Sequence, residues 1–403
     1  MMKKQYFILL ILAGLLTLLP ACRDNRKFRT LIITGQGDHD WQASSPALKE
    51  ILNQTGMFSA RIIVTPEKGE DISDFNPDFT RYRLVVLDYN GDSWSEETKT
   101  AFIEYVRNGG GVVVYGEADN AFPDWKEYND MIGLGGGEAR DENNGPYVYF
   151  RRNEMVIDTS AGTAGSHGER YEFEIRTRIT DHPITSGLPV RWLHGSDILS
   201  SRLRGPAINM DILATAFADP KYGGSGRDEP VLMTINYEKG RIFHTTLGYP
   251  YEDSGPAMQC PGFISTFRRG AEWAVTGNVT QPVPLDFPSA AAVVIRDDFR
   301  EISISEAMDN LADYNISKST KYFTTLKSYI RQAGGDEKTL LKYEKMMVKV
   351  LVSDETTVEA KKLLLRELSW MGSDYCLPAI EDLTENSELK DEAEFALERL
   401  KAE

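Results

Sequence analysis

The stretch "GGGVVVYGEADN", residues 109 to 120, is an apolar run that breaks into a loop at Gly116. Many α/β enzymes place a nucleophile at such a turn. Here the turn offers Gly116, Glu117 and Asp119, with no Cys, Ser or Thr. Attack by a thiol or hydroxyl from this position is therefore excluded, and carboxylate chemistry remains. Glu117 and Asp119 are close enough in sequence to share or trade a proton, or to accept hydrogen bonds from ligand hydroxyls. Asp119 can equally brace the turn through its own backbone.

The other residues able to do chemistry are scattered. Asp38, His39 and Asp40 follow the first apolar run; a His beside carboxylates suits acid/base work, and the same loop can cap the next helix. Trp125, with Phe122, offers an aromatic face for the C–H side of a sugar ring, or a core anchor. His167 sits in the Gly-rich "AGTAGSHGER". His194 and Asp197 lie three apart in "WLHGSD", where they can position a proton or contribute to a metal site. His244 lies in "RIFHTTLG", with Ile242 on its face and Phe243 and Thr245 on the other. Tyr249 follows Gly248 at the end of that run. The proton-handling candidates are thus His39, Asp119, His167, His194 and His244, with Asp38, Glu117, Trp125, Asp197 and Tyr249 as substrate-orienting candidates.

No cofactor is implied, and metal content stays open, since no HxH, HxxxH or paired-cysteine spacing accompanies these residues. The glycine-rich "GLGGGEARDENNG" lacks a strand-to-helix context and a phosphate-binding Lys-Ser/Thr.

These residues need elements to bring them together. "FRTLIIT", "RIIV", "RLVVLD" and "GVVVYG" read as strands apolar on both faces. They alternate with capped helices over "SSPALKEILNQTG" and "SEETKTAFIEYVRNGG". That alternation predicts a parallel sheet covered on both sides. From about Asn120 to Gly226 the pattern dissolves into turns, read as insertions over the sheet's C-terminal edge. "PVLMTINYEKGRIFHTTLG" reads as a hairpin and "FISTFRRGAEWAV" as a closing amphipathic helix. Residues 281–300 are Pro-rich, an extended linker. Residues 301–403 form successive helical segments with apolar residues three and four apart, fitting a HEAT-like all-α domain that offers a packing or partner surface.

The chain has 403 residues, which suggests more than one domain. Its formal net charge of −16 argues against nucleic-acid binding. Lys3 and Lys4 precede an apolar run from Tyr6 to Leu19, shorter than the roughly 20 residues of a spanning helix. Residues 1–21 therefore read as an export signal. Cys22 after Ala21 resembles the lipidation site of bacterial lipoproteins, with residues 22–27 as a tether and the cell envelope as the location. The remaining Cys260 and Cys376 fall in different expected domains, which disfavours a disulfide.

Taken in order, "GGGVVVYGEADNAFPDWKEYNDMIGLGG", "DHPITSGLP", "RLRGPAINMDILATAFADP", "EPVLMTINYEKGRIFHTTLGY" and "PGFISTFRRGAEWAVTG" resemble the trehalose-utilisation (ThuA-like) family. The resemblance implies an α/β fold with a flavodoxin-like, doubly wound, mostly parallel sheet over residues 28–280, as in class I glutamine amidotransferases. It implies a ligand site beyond the strands' carboxyl ends. It also implies a carbohydrate ligand, such as a keto-glycoside. Amide hydrolysis is not implied, because the amidotransferase Cys is replaced by Gly116 and Glu117. Family patterns rich in His appear thinned: Gly116, Tyr171, Ile198, Ser200 and Tyr249 stand where His, acid or phenol groups occur in relatives. Two readings follow. One is a sugar-processing enzyme using acid/base chemistry; the other is a non-catalytic sugar-binding or partner-docking lipoprotein.

Overall fold

In the computed structural model the described residues are 27–251, 255–318 and 320–402. The expected export signal and Cys22 lie outside them.

The chain opens with β1 (Phe28–Thr34), α1 (Trp41–Asn53), β2 (Phe58–Val64), β3 (Leu84–Leu87), α2 (Glu96–Arg107) and β4 (Gly111–Tyr115). Both helices start on side-chain caps. Asp40 accepts from the Ala43 N–H, and Ser95 accepts from the Thr98 N–H. Glu96 and Glu97 in the first turn of α2 complement the helix dipole. The next elements are α3 (Lys126–Ile132), β5 (Tyr147–Arg151), β6 (Glu154–Asp158), β7 (Tyr171–Thr177), β8 (Arg191–Asp197) and β9 (Met210–Phe217). The unit ends with β10 (Asp228–Tyr237), β11 (Gly240–Thr245), α4 (Gly255–Gln259) and α5 (Pro261–Thr276).

One sheet of order β2-β1-β3-β4-β11-β10-β9-β7-β8 runs through this unit. From β2 to β11 neighbours are parallel; from β11 to β8 they are antiparallel. The β5–β6 hairpin attaches to β10. The fold is therefore mixed α/β around a large central sheet. The antiparallel half departs from the expectation of loop insertions between 120 and 226. In β7 inward and outward side chains alternate, so its apolar content is too dilute to read as a strand run; β9, by contrast, is buried over residues 212–216.

The parallel strands are buried on both faces. Val113, Tyr115 and Phe243 pack with α1 and α5, whereas Val112, Val114 and Ile242 pack with α2 and α3. Alternation along β11 thus puts His244 on the α3 side, with Ile242.

The segment 281–300 has no helix or strand, as expected, but it is a packed strap rather than a free linker. Asp286 and Arg296 form a buried bidentate ion pair at 2.6 and 2.8 Å. Phe287 fills the α5-side core, and Arg296 N–H bonds the Gln259 carbonyl.

The tail contains α6 (Ile304–Leu311), α7 (Lys321–Gln332), α8 (Glu337–Leu351), α9 (Val358–Met371), α10 (Leu377–Leu383) and α11 (Lys390–Ala402). These share their own core, including Met308, Leu326, Met347, Leu364 and Ala393. The tail meets the strap through Gln332, which donates to the Leu285 carbonyl, and Lys321, which pairs with Asp297 at 2.5 Å. Among the described residues no helix is long and apolar enough to cross a membrane.

Candidate functional site

β4 delivers Gly116 at the carboxyl edge of the parallel strands with φ +51°. Side chains rarely adopt this left-handed backbone, yet a Cβ built there would meet nothing within 4 Å. The turn has the open space a nucleophile would need and carries none. The tight turn over Gly116–Asn120 then presents Glu117 and Asp119 to a cavity of about 710 Å³. Asp38, His167 and Tyr249 line the same cavity, together with Asn90, Ser200, Thr246 and the loop 136–139. Four carboxyl residues, Asp38, Glu117, Asp119 and Glu138, face it, and among the described residues no Lys or Arg does.

A hydrogen-bonded chain runs along one wall. His39 Nε2 lies 2.6 Å from Asp88 Oδ1, and its Nδ1 lies 3.2 Å from Glu117 Oε2. Glu117 Oε2 also accepts from the Asp38 N–H at 3.0 Å, and Oε1 accepts from the Tyr249 hydroxyl at 2.8 Å. Asp88 accepts from Ser44 and Ser45 at 2.7 and 2.5 Å. Burial alone would lower the His39 pKa. Hydrogen bonds to Asp88 and Glu117, and their charges, outweigh it and push the value up to about 10. His39 is therefore an imidazolium donating from both nitrogens. Burial would raise the Glu117 pKa, but His39, Tyr249 and the Asp38 N–H hold it below the usual carboxylate value. Burial, then the Glu117 charge, raises the Tyr249 phenol, which stays protonated.

His39 was expected beside carboxylates, and it is. Its partners are not its sequence neighbours, however: Asp40 caps α1, while Asp38 contributes its N–H. Asp88, the partner that sequence reasoning missed, sits just past the end of β3 and is fully buried. Its only signal was a charged residue closing an otherwise apolar strand.

His194 and Asp197 come together but not in the cavity. Both are buried, with His194 Nε2 2.9 Å from Asp197 Oδ2. Burial would lower the His194 pKa; the Asp197 hydrogen bond and the neighbouring Cys260 thiol raise it to about 9. Asp197 also accepts from the N–H groups of Ile198, Gly248 and Tyr249 at 2.8, 2.8 and 3.1 Å. It thereby fixes the turn that aims Tyr249. Gly248 at that turn has φ +93°, and a Cβ there would fall 2.5 Å from the Phe263 ring. This pair positions the turn rather than handling substrate. Arg170 supports the same turn, donating to the Tyr249 and Pro250 carbonyls at 3.2 and 2.7 Å.

His244 is fully buried under the cavity floor. Its Nδ1 is 2.9 Å from the Ile132 carbonyl, which makes Nδ1 the protonated nitrogen. Its Nε2 faces Asp119 Oδ2 at 3.7 Å, too long for a hydrogen bond. Neither atom, nor the nearby Thr246 Oγ1, has a hydrogen-bond partner within the protein. Behind the turn, buried Arg140 spends its donors on the carbonyls of Asn120, Ala121 and Gly136 and on Asn129.

Trp125, expected to orient substrate, does not line the cavity. It is 7% exposed and packs among Trp94, Phe102, Phe122 and Tyr128. The start of α3 immediately after it turns the indole into the α2-side core. His167 lies on the exposed rim, its ring bonded to the Gly168 carbonyl. Among the described residues no group of three or more His, Cys, Asp and Glu is placed to hold a metal ion. Cys260 and Cys376 are buried free thiols.

A family model described as trehalose utilisation (ThuA) matches residues 29–274. A crystal structure of a ThuA-like protein from Parabacteroides merdae is 50% identical, with TM-score 0.67, covering 68% of this chain and all (100%) of that one. A ThuA-like structure from Bacteroides uniformis is 16% identical, with TM-score 0.42, covering 64% of this chain and 98% of that one. No curated protein matches the chain.

Proposed function

Because the chain belongs to the trehalose-utilisation (ThuA) family, we propose that its cavity binds and processes a glycoside, in particular a keto-glycoside, by acid/base chemistry without a covalent nucleophile. The observation that carries this reading is the chain Asp88–His39–Glu117–Tyr249, ending at the cavity wall. A keto group makes the adjacent C–H acidic, so a base and a hydrogen-bond donor suffice for enolisation or elimination. Glu117, held ionised, is the base. The Tyr249 hydroxyl, which donates to Glu117 Oε1 in the free site, turns its one proton to the developing enolate oxygen as Glu117 takes the C–H proton. His39 balances the charge of Glu117 and fixes its orientation. The cavity volume of about 710 Å³ suits a sugar of one or two rings.

The test is calorimetric binding of a neutral disaccharide and its 3-keto form, with product analysis. We expect binding of both and conversion of the keto form. Conversion should disappear in Glu117→Gln and Tyr249→Phe proteins that melt like the parent. Failure to bind either sugar would end the carbohydrate reading.

A second reading, binding without turnover, is favoured by one observation: both ring nitrogens of His39 are committed to carboxylates. Saturable binding of the keto form with no product would select it. For location, we propose anchoring at the cell envelope through lipidated Cys22. The motif at Ala21–Cys22 supports it, and loss of membrane association in Cys22→Ser would check it. The stacked tail helices are read as HEAT-like pairs offering a partner surface.

A further inference from the structure

We propose that the cavity selects its ligand by charge: it admits polyhydroxy ligands that are neutral or carry an ammonium, and turns away sugar phosphates and sugar acids. The inference rests on the carbohydrate reading above but concerns which sugars qualify.

The floor of the cavity presents a carboxylate and a hydroxyl whose oxygens have no partner. Asp119 and Thr246 line it and are each 3% exposed, and Asp119 Oδ2 and Thr246 Oγ1 have no partner within the protein. His244 gives its Nδ1 proton to the Ile132 carbonyl, and its Nε2 lies 3.7 Å from Asp119 Oδ2. A buried acceptor left unmet is costly, so a ligand that brings hydrogens gains there. Hydroxyl or ammonium groups bring them. A phosphate or carboxylate brings more lone pairs and a negative charge.

The walls reinforce this. Asp38, Glu117 and Glu138 add carboxyl groups, and no Lys or Arg lines the cavity among the described residues. The nearest cations are already committed. His39 donates to Asp88 and Glu117, Arg140 donates to carbonyls behind the turn, and Arg170 donates to the carbonyls of Tyr249 and Pro250. Sites that recognise phosphate or carboxylate normally offer Arg, Lys or free backbone N–H groups. A low-dielectric cleft of one sign also repels ligands of that sign before contact.

The experiment titrates the full soluble chain, without its export signal, with three matched ligands: a neutral disaccharide, its 6-amino derivative and its 6-phosphate. We expect the amino form to bind at least as tightly as the neutral one and the phosphate at least 100-fold more weakly. In Asp119→Asn, which offers an amide N–H in place of one oxygen, that discrimination should narrow at least tenfold. Equal affinity of the neutral and phosphate forms would overturn the proposal, as would unchanged discrimination in Asp119→Asn. Methylammonium and inorganic phosphate, followed by the NMR signals of Asp119 and Thr246, provide a reading that needs no sugar affinity. If no sugar binds, the carbohydrate reading falls. The charge rule then stands if methylammonium alone shifts those signals, and falls if phosphate does so or if neither does.

Discussion

His39 and Asp88, 49 positions apart in the chain, meet through a 2.6 Å contact that is closed off from solvent. With Glu117 on the other ring nitrogen, this contact keeps the imidazole protonated well above its ordinary range.

That protonation has a pH signature. The folded His39 holds its proton up to about pH 10, whereas in the unfolded chain it releases it above about 6.5. Between those values the folded state binds more protons, so stability falls as pH rises, by up to about 1.4 kcal/mol per pH unit. Its contribution is complete below pH 6.5 and gone above 10. Urea denaturation from pH 6 to 10 should give a flatter curve for His39→Gln than for the parent. Parallel curves would refute the assignment.

Asp197 supports a turn rather than a reaction. Asp197→Asn leaves a buried His194 without its charge partner and weakens the hold on Gly248 and Tyr249. We expect a loss of about 3–5 kcal/mol in stability. Asp197→Glu should fold poorly too, because the carboxylate must reach three N–H groups at once. A thermal melt within a degree of the parent for Asp197→Asn would contradict this role.

Trp125 separates packing from binding. Trp125→Ala should cost about 3–5 kcal/mol, the range for deleting a buried aromatic. Trp125→Phe should retain sugar affinity within twofold. A large affinity loss in a stable Trp125→Phe protein would return the indole to the site.

Gly116 is tested by adding one carbon. Space is free, so Gly116→Ala meets no clash, but the positive φ costs about 1–2 kcal/mol. Denaturant titration should show that loss and an unaltered fold by circular dichroism. A neutral or stabilising result would mean that the turn adopts another backbone conformation.

How much of this was legible beforehand depended on the range of each interaction. The parallel strands, α1, α2 and the β10–β11 hairpin follow from local apolar runs and caps, and the alternation that separates His244 from Phe243 is a property of one strand. Glu117, Asp119 and Tyr249 were legible because strand ends converge in this fold class. Asp88 was not, since nothing local distinguishes a strand-closing carboxylate from a surface one. The burial of Trp125 and His194 away from the cavity was hidden for the opposite reason: residue type suggested chemistry, while burial is decided by neighbours far along the chain. The strap showed its lack of regular structure in its prolines, but not the Asp286–Arg296 pair that pins it.

The vacant elbow at Gly116 also sets what kind of reagent can reach this protein. With no thiol or hydroxyl at the turn, no thioester or ester can form at this position. Electrophilic warheads that inactivate thiol hydrolases of similar architecture should leave no adduct at this position.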